Sequence, residues 1–190
     1  MVGLLALRAL DGARLCAIEV QPRLAELARR NLRENGFADR GEVVEADVAA
    51  AAFRRRIGGA RFHLLLTNPP YQPLGRGAQN PDGEAAIARH EVRLPLARLV
   101  AEARRTLRPG GEAAFVYPAA RLAELLGAAQ AVGLSARKLR LVHPRRDRAA
   151  TRALVLCDKS APHAPLEVLP PLIEHDGVAP TAELRRICGD

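Results

Sequence analysis

The chain of 190 residues has no tryptophan, two tyrosines and four phenylalanines, so aromatic side chains make up only 3% of it. That scarcity excludes a broad platform of stacked rings as the basis of ligand binding. Cysteine is scarce as well. Cys16, Cys157 and Cys188 stand far apart and are odd in number, which argues against a disulfide framework and a CxxC zinc site and suits a reducing cytoplasm. The histidines show no metal spacing, and His90-Glu91 lacks the second histidine of an HExxH pair, so no metal is expected. No apolar run approaches the roughly 20 residues of a membrane span. Met1 to Leu10 lacks the charged lead and small-residue cleavage site of a secretory leader, so a cytoplasmic protein without a membrane partner is expected.

What is present is a chain 48% apolar, enough for one domain with a real core. We expect one domain over residues 1–190, with 158–190 as an extension packed on it. The net charge is +8, from 29 basic and 21 acidic residues. A basic balance favours polyanions such as RNA. It is met equally by an Arg-rich solvated surface on a chain rich in Ala and Leu.

Strand-like and helix-like segments alternate. Met1 to Leu10 reads as a helix stopped by Asp11-Gly12. Arg14 to Val20 reads as a short strand. Pro22 to Asn35 reads as a helix with Leu24, Leu27, Ala28 and Leu32 on its inner face, Pro22 at its start and Gly36 past its end. Strands follow at Glu42 to Ala46 and Arg61 to Thr67, then a Gly-, Pro- and Asn-rich loop from Tyr71 to Gly83. Glu84 to Leu107 reads as helical, kinked or divided at Pro95, with Val92, Leu96, Leu99, Val100, Ala103 and Leu107 inward. Arg108-Pro109-Gly110-Gly111 reads as a turn, Ala113 to Tyr117 as a strand and Ala119 to Val132 as a helix stopped by Gly133. Leu139 to Val142 and Ala153 to Cys157 read as closing strands and antiparallel neighbours, and the Ala-rich stretch Ala49 to Ala52 stands without an element. Alternation of this kind predicts an α/β domain with a mostly parallel sheet and an antiparallel closing strand, its ligands outside the carboxyl ends of the strands.

The chemistry centres on Asn68-Pro69-Pro70-Tyr71, which follows the apolar run Phe62-His63-Leu64-Leu65-Leu66 and so sits at a strand end. Each proline has a fixed φ and no N–H, and each biases the residue before it toward an extended backbone. The Asn68 amide oxygen and the Pro69 carbonyl can then converge on one point and accept both hydrogens of a planar amine. That draws the nitrogen lone pair out of conjugation. Tyr71 offers a face for a base. Catalysis of this kind is positioning and electrostatics without a covalent enzyme intermediate. The alternative is a tight diproline loop with a buried tyrosine.

Upstream, Glu19 closes a strand where a nucleotide-binding βαβ unit places an acid for ribose hydroxyls, about 20 residues beyond a Gly-rich loop. Such a loop would fall at or before Met1, with Gly3 the last trace of its surroundings. Asp47 closes the next strand and can accept from an adenine amino group, while the Val48 N–H can serve a ring nitrogen. Either acid alone is equally an ordinary strand-end residue.

In this order the residues resemble the class I, Rossmann-like S-adenosylmethionine-dependent methyltransferases, and more narrowly the bacterial valine-tRNA adenine-N6 methyltransferases. Further likenesses lie in Asn80-Pro81-Asp82, Ala88-Arg89-His90-Glu91, Leu107 to Gly111, His143-Pro144-Arg145, Thr151 to Leu154, Pro170 to His175 and Thr181-Ala182-Glu183. The resemblance implies that Asn68, Pro69, Pro70 and Tyr71 hold the target amine. It makes Glu19, Asp47, Val48 and Asn68 contacts to S-adenosylmethionine, and Arg89 and His90 part of the substrate side. It also implies an N-terminally truncated chain, because the family's first strand, its Gly-rich loop and a further segment are not in this sequence.

The densest basic stretch, Arg137-Lys138, Arg140, Arg145-Arg146, Arg148 and Arg152, could hold tRNA phosphates, with Arg145, Arg146 and Arg152 the expected contacts. A base in a single-stranded loop suits the pocket, being cheap to splay out. Phe37 or Tyr117 could stand near Tyr71. His63 reads as a core or rim residue and His143 as structural. Methylation of a release-factor glutamine amide uses the same tetrapeptide and remains open beside N6-methylation of a tRNA adenine. So does a non-catalytic RNA-binding remnant.

Overall fold

The computed structural model describes residues 2–69, 95–159 and 165–189. They form two compact units, Met1–Gly59 and Ala60–Asp190.

In the first unit, helix α1 (Val2–Ala9) leads to strand β1 (Leu15–Glu19), helix α2 (Pro22–Glu34), strand β2 (Gly41–Glu45) and helix α3 (Ala51–Ile57). Strands β1 and β2 pair in parallel, from Leu15 opposite Gly41 to Glu19 opposite Glu45. Gly3 lies inside α1, where a Cβ would stand 2.8 Å from Leu15 Cδ2, so its smallness serves helix–strand packing. Helix α2 begins at the expected proline but turns a different side inward. Ala25 and Leu32 are buried, whereas Leu24 is 43% and Leu27 49% exposed. Leu32 lies so close to Gly41 that a Cβ there would meet Leu32 Cδ2 at 2.6 Å, and this contact sets which face of α2 meets the strand pair. Helix α3 grows out of the Ala-rich stretch by burying Phe53 and Ile57.

In the second unit, strand β3 (Phe62–Thr67), helix α4 (Leu96–Thr106), strand β4 (Leu107–Pro118), a short 3-10 turn, helix α5 (Leu122–Ala131), strand β5 (Ser135–His143) and strand β6 (Arg152–Asp158) follow. The tail adds the two-residue strands β7 (Glu167–Val168), β8 (Leu172–Ile173), β9 (His175–Asp176) and β10 (Ala179–Pro180), then helix α6 (Ala182–Cys188). The strand order is β3-β4-β6-β5-β7, with β8 also on β5. Strands β3 and β4 are parallel, β6 is antiparallel to both β4 and β5, and β7 and β8 are parallel to β5. Strand β6 therefore runs against all the others, and the expected antiparallel pairing of the two closing strands holds.

Period-two alternation builds the core. Ala113 pairs with Cys157, Phe115 with Val155 and Tyr117 with Ala153, so all six side chains share one sheet face. All are buried with Val100 and Ala103 of α4 and Leu125 and Ala129 of α5. Of the expected stripe, Leu96, Leu99, Val100 and Ala103 lie on α4 and are buried or half-buried, Leu107 opens β4, and Val92 lies outside the described residues. Pro95 is not a kink within the helix but its N-cap, a place where its missing N–H costs nothing. The Arg-Pro-Gly-Gly turn lies within β4. Phe62 pairs with Leu107 and Leu64 with Glu112, so residues 108–111 loop out between two residues of β3. Gly110 has φ +71°, and a Cβ on Gly111 would stand 2.9 Å from the Phe62 carbonyl oxygen, so both positions require glycine.

Candidate active site

Strand ends set the geometry of each unit. In the first, the parallel register places Glu19 and Asp47 at the carboxyl ends of adjacent strands. Asp47 lies two residues beyond Glu45, the partner of Glu19. One strand spacing sideways and two residues along put the two backbones about 8 Å apart, a span that a nucleoside can bridge. Each acid also shapes its own turn. The Gln21 N–H donates to Glu19 Oε1 at 2.9 Å, and the Ala49 N–H donates to Asp47 Oδ1 at 2.7 Å. Each carboxylate thus commits one oxygen to holding its orientation and leaves the other for a hydroxyl or amino donor. Among the described residues the Val48 N–H donates no hydrogen bond. Two anchored acceptors and a free donor fit the ribose and adenine of a nucleoside cofactor.

A concavity of about 300 Å³ in this unit, lined by Arg29, Leu32, Arg33, Ala38, Gly41 and Val43, lies at the amino end of β2 instead. Its two arginines are each 3.3 Å from a Glu26 carboxylate oxygen. That pairing holds the Glu26 carboxyl below its ordinary range, and the concavity stands apart from the strand ends that carry Glu19 and Asp47.

In the second unit, Thr67 pairs with Phe115, and Asn68 follows at the carboxyl end of β3. Asn68 is exposed, and its side chain makes no hydrogen bond among the described residues. Pro69 follows half-buried. Pro70, Tyr71, Arg89 and His90 lie outside the described residues, as do Asn80 to Asp82 and Val92.

The reversed β6 begins where β4 and β5 end, with Arg152 opposite both Pro118 and Val142. The carboxyl edge that carries Asn68 therefore also carries Arg152 and the loop after His143. Arg145, Arg146, Arg148 and Arg152 are all exposed, and Arg145 and Arg146 have no hydrogen bond or ion pair among the described residues. Arg148 lies 3.9 Å from Asp147, and other members of the basic stretch are paired too: Arg137 lies 3.3 Å from Asp158, Lys138 3.7 Å from Glu167 and Arg140 2.6 Å from Glu183.

Tyr117 does not serve as a stacking surface. It is 3% exposed, in the core under the Arg121 guanidinium 5.5 Å from its ring centre. Burial raises its phenol pKa. Arg121 is in turn held by Glu124 at 2.6 Å, a short-range i,i+3 pair that the helical spacing would have disclosed. Phe37 lies under Arg40 at 5.0 Å. His63 is exposed on β3, and His143 is structural, its Nδ1 2.7 Å from the Arg148 carbonyl oxygen. Among the described residues no cluster of His, Cys, Asp or Glu could hold a metal, and no helix is long and apolar enough to cross a membrane.

The fold is that of the class I, Rossmann-like methyltransferases. A predicted O-methyltransferase from Agrobacterium tumefaciens superposes with a TM-score of 0.76 at 25% identity, covering 98% of this chain and 82% of that one. A geranyl diphosphate C-methyltransferase from Streptomyces coelicolor, solved with S-adenosyl-L-homocysteine, shares the fold at a TM-score of 0.58 and 13% identity, over 82% of this chain and 67% of its own. Within this class the sequence is similar to a tRNA1(Val) (adenine(37)-N6)-methyltransferase from Porphyromonas gingivalis. Identity is 34% over 125 residues, 66% of this chain and 48% of that protein. It is also similar to a release factor glutamine methyltransferase from Chlorobaculum tepidum, 41% identical over 92 residues, 48% of this chain and 30% of that protein. The chain spans about half the length or less of these curated relatives. No family model matches the sequence.

Proposed function

We propose that the protein is a cytoplasmic S-adenosylmethionine-dependent methyltransferase acting on the N6 amine of an adenine in the anticodon-loop region of a tRNA. The observation that carries the reading is Asn68, an exposed amide with no hydrogen-bond partner among the described residues, at a strand's carboxyl end and followed at once by Pro69. Such an amide is open to a substrate. In this reading residues 1–190 are one methyltransferase domain.

The Asn68 amide oxygen and the Pro69 carbonyl accept the two hydrogens of the target amine and turn its lone pair outward. Tyr71 stacks on the base, and Arg89 and His90 line the substrate side. Glu19 accepts from ribose hydroxyls, Asp47 accepts from the cofactor's adenine amino group, and the Val48 N–H donates to a ring nitrogen. When bound, S-adenosylmethionine supplies the activated methyl group. The amine proton leaves to solvent or to a carbonyl. Arg145, Arg146 and Arg152 take phosphates flanking the target nucleotide.

Replacing Asn68 with Ala tests the reading. The side chain makes no hydrogen bond among the described residues, so stability should move by no more than about 0.5 kcal/mol, while methyl transfer to unmodified tRNA falls roughly 100- to 1,000-fold. Unchanged transfer would remove Asn68 from the mechanism. The likeness to the release factor enzyme supports a second reading with the same amine pincer, and labelled methyl appearing in a release factor instead of tRNA would select it. Retained tRNA binding with no transfer to either substrate would select a non-catalytic RNA-binding protein.

A further inference from the structure

The loop between β5 and β6 exposes Arg145, Arg146 and Arg148, yet its backbone is tied down by several hydrogen bonds. The Arg148 N–H donates to the Arg145 carbonyl at 3.2 Å, the Thr151 N–H to Val142 at 2.9 Å, the Glu174 N–H to His143 at 2.8 Å and the His175 N–H to Pro144 at 3.1 Å. His143 Nδ1 closes the loop on the Arg148 carbonyl at 2.7 Å. Two of these five bonds come from the tail, at β8 and β9. The tail is fixed in the same manner. Thr181, the N-cap of α6, donates its hydroxyl to the Ile173 carbonyl at 2.7 Å, and Ile173 pairs with His143 at the root of the arginine loop. Glu183 in the first turn of α6 reaches Arg140 of β5 at 2.6 Å. Helix α6 then presents Arg185 and Arg186, both exposed, with Arg185 Nη1 donating to the Pro180 carbonyl at 2.8 Å.

A loop and a helix both fixed to the end of one strand, both bearing arginines into solvent, form a preorganised cationic surface. Holding the backbones beforehand removes the loop-ordering part of the cost of binding, though the arginine side chains still lose freedom. The surface lies on the carboxyl edge that carries Asn68. Three strand spacings separate β3 from β5, and the outer strands run a few residues further, which places the root of the loop roughly 15–20 Å from Asn68. That distance suits phosphates a few nucleotides from a base held at Asn68, and it favours RNA over a membrane surface or an acidic protein.

We propose that α6 is the outer half of an RNA-phosphate surface, with Arg185 and Arg186 continuing the line of Arg145, Arg146 and Arg148 and the Arg140–Glu183 ion pair latching it in place. The inference rests on the tRNA reading above for its occupant.

The test measures binding of an unmodified tRNA transcript by the full chain across a salt series. In R185A/R186A the slope of log affinity against log salt should become shallower by about 1.4 to 1.8, and affinity at low salt should fall roughly ten- to fifty-fold. The pair R185K/R186K keeps both charges and should restore the slope. In transfer assays KM for tRNA should rise in the alanine pair while kcat holds. A wild-type slope and affinity in R185A/R186A would overturn the proposal, and so would a lysine pair that fails to restore the slope. An alanine pair that loses binding to phosphatidylglycerol vesicles but not to tRNA would overturn it in favour of a membrane contact. A wild-type chain that binds tRNA through this surface yet methylates none would leave the surface standing and remove the function assigned above.

Discussion

Helix α4 contains a carboxylate where an apolar residue would be the default. Glu102 is 2% exposed, with Arg105 Nε at 2.7 Å and Arg98 Nε at 3.4 Å. Both arginines stand on the same helix, at i+3 and i−4, so the ion pairs form within α4 while its Val100–Ala103 side packs on the sheet. Breaking a buried pair by removing one member costs about 3–5 kcal/mol when the other charge is trapped. Here the arginine side chains retain 38% and 26% exposure, so neither charge is wholly trapped and a value at or somewhat below the lower end applies. For Glu102→Ala we expect about 2–3 kcal/mol. In a chain of this size that is a fall in melting temperature of roughly 5–10 °C. Glu102→Gln keeps the shape and one acceptor and should cost about half as much. Urea titration followed by circular dichroism gives both values, with the slope m checked for constancy. A loss below 0.5 kcal/mol in the alanine variant, or a glutamine variant less stable than the alanine one, would refute the argument that the charge pairing holds α4.

Cys157 is fully buried, and burial pushes its thiol up to about 12, against roughly 8.5 in an unfolded chain. The folded state therefore keeps a proton that the unfolded state gives up between those values. Stability is undiminished below about pH 8.5 and should fall by about 1.4 kcal/mol per pH unit above it. Cys157→Ala should flatten that limb except for the part contributed by Tyr117, whose pKa is raised in the same direction; an unchanged alkaline limb in urea melts would count against the burial argument. At the tail, the Leu184 N–H donates to Thr181 Oγ1 at 3.2 Å, so Thr181→Val should destabilise α6 locally by about 1–2 kcal/mol. Amide exchange at residues 184–188 should quicken while exchange at the Phe115 amide does not, and equal protection in the variant would show that the cap is idle.

Strands β3, β4, β5 and β6 were legible because each is long enough to show an apolar run or a period of two, and the Asn-Pro-Pro-Tyr segment declared itself by falling directly after one. Strands β7 to β10 have two residues each, too few to carry any period, and they exist because β5 offers them backbone partners. Leu24 and Leu27 misled because helical spacing says which residues share a face, not which face another element will cover. Helix α3 was hidden by alanines that mark no face; its two anchors, Phe53 and Ile57, reveal it only once they are buried. The latch between Arg140 and Glu183 spans 43 positions, so no local spacing could show it. Asn68, Glu19 and Asp47 were readable as strand-end residues, but the fact that separates them is structural. The two acids are bonded to their own turns, and the amide makes no hydrogen bond among the described residues.

The placement of the basic residues follows from the direction of a single strand. Had β6 run with β4 and β5, Arg152 would begin it at the edge away from Asn68, and the β5–β6 connection would have to cross the sheet. Because β6 is reversed, the connection is a short turn, and everything in it stands at the carboxyl edge by backbone topology alone. Arg152 pairs with Pro118 and Val142, two strand spacings, or about 10 Å, sideways from β3. Changing the side chains of the loop can therefore weaken or strengthen a polyanion contact but cannot move it away from Asn68. The tail reinforces this by bonding to the His143 and Pro144 carbonyls. Under the proposed function such a fixed separation would suit substrates whose anionic groups lie a set distance from the target amine. A nucleic acid strand satisfies that through its covalent repeat. A glutamine side chain on a protein would need acidic residues placed to match. In the reading proposed above, the reversed strand, more than the net charge of +8, is what keeps the basic residues beside Asn68.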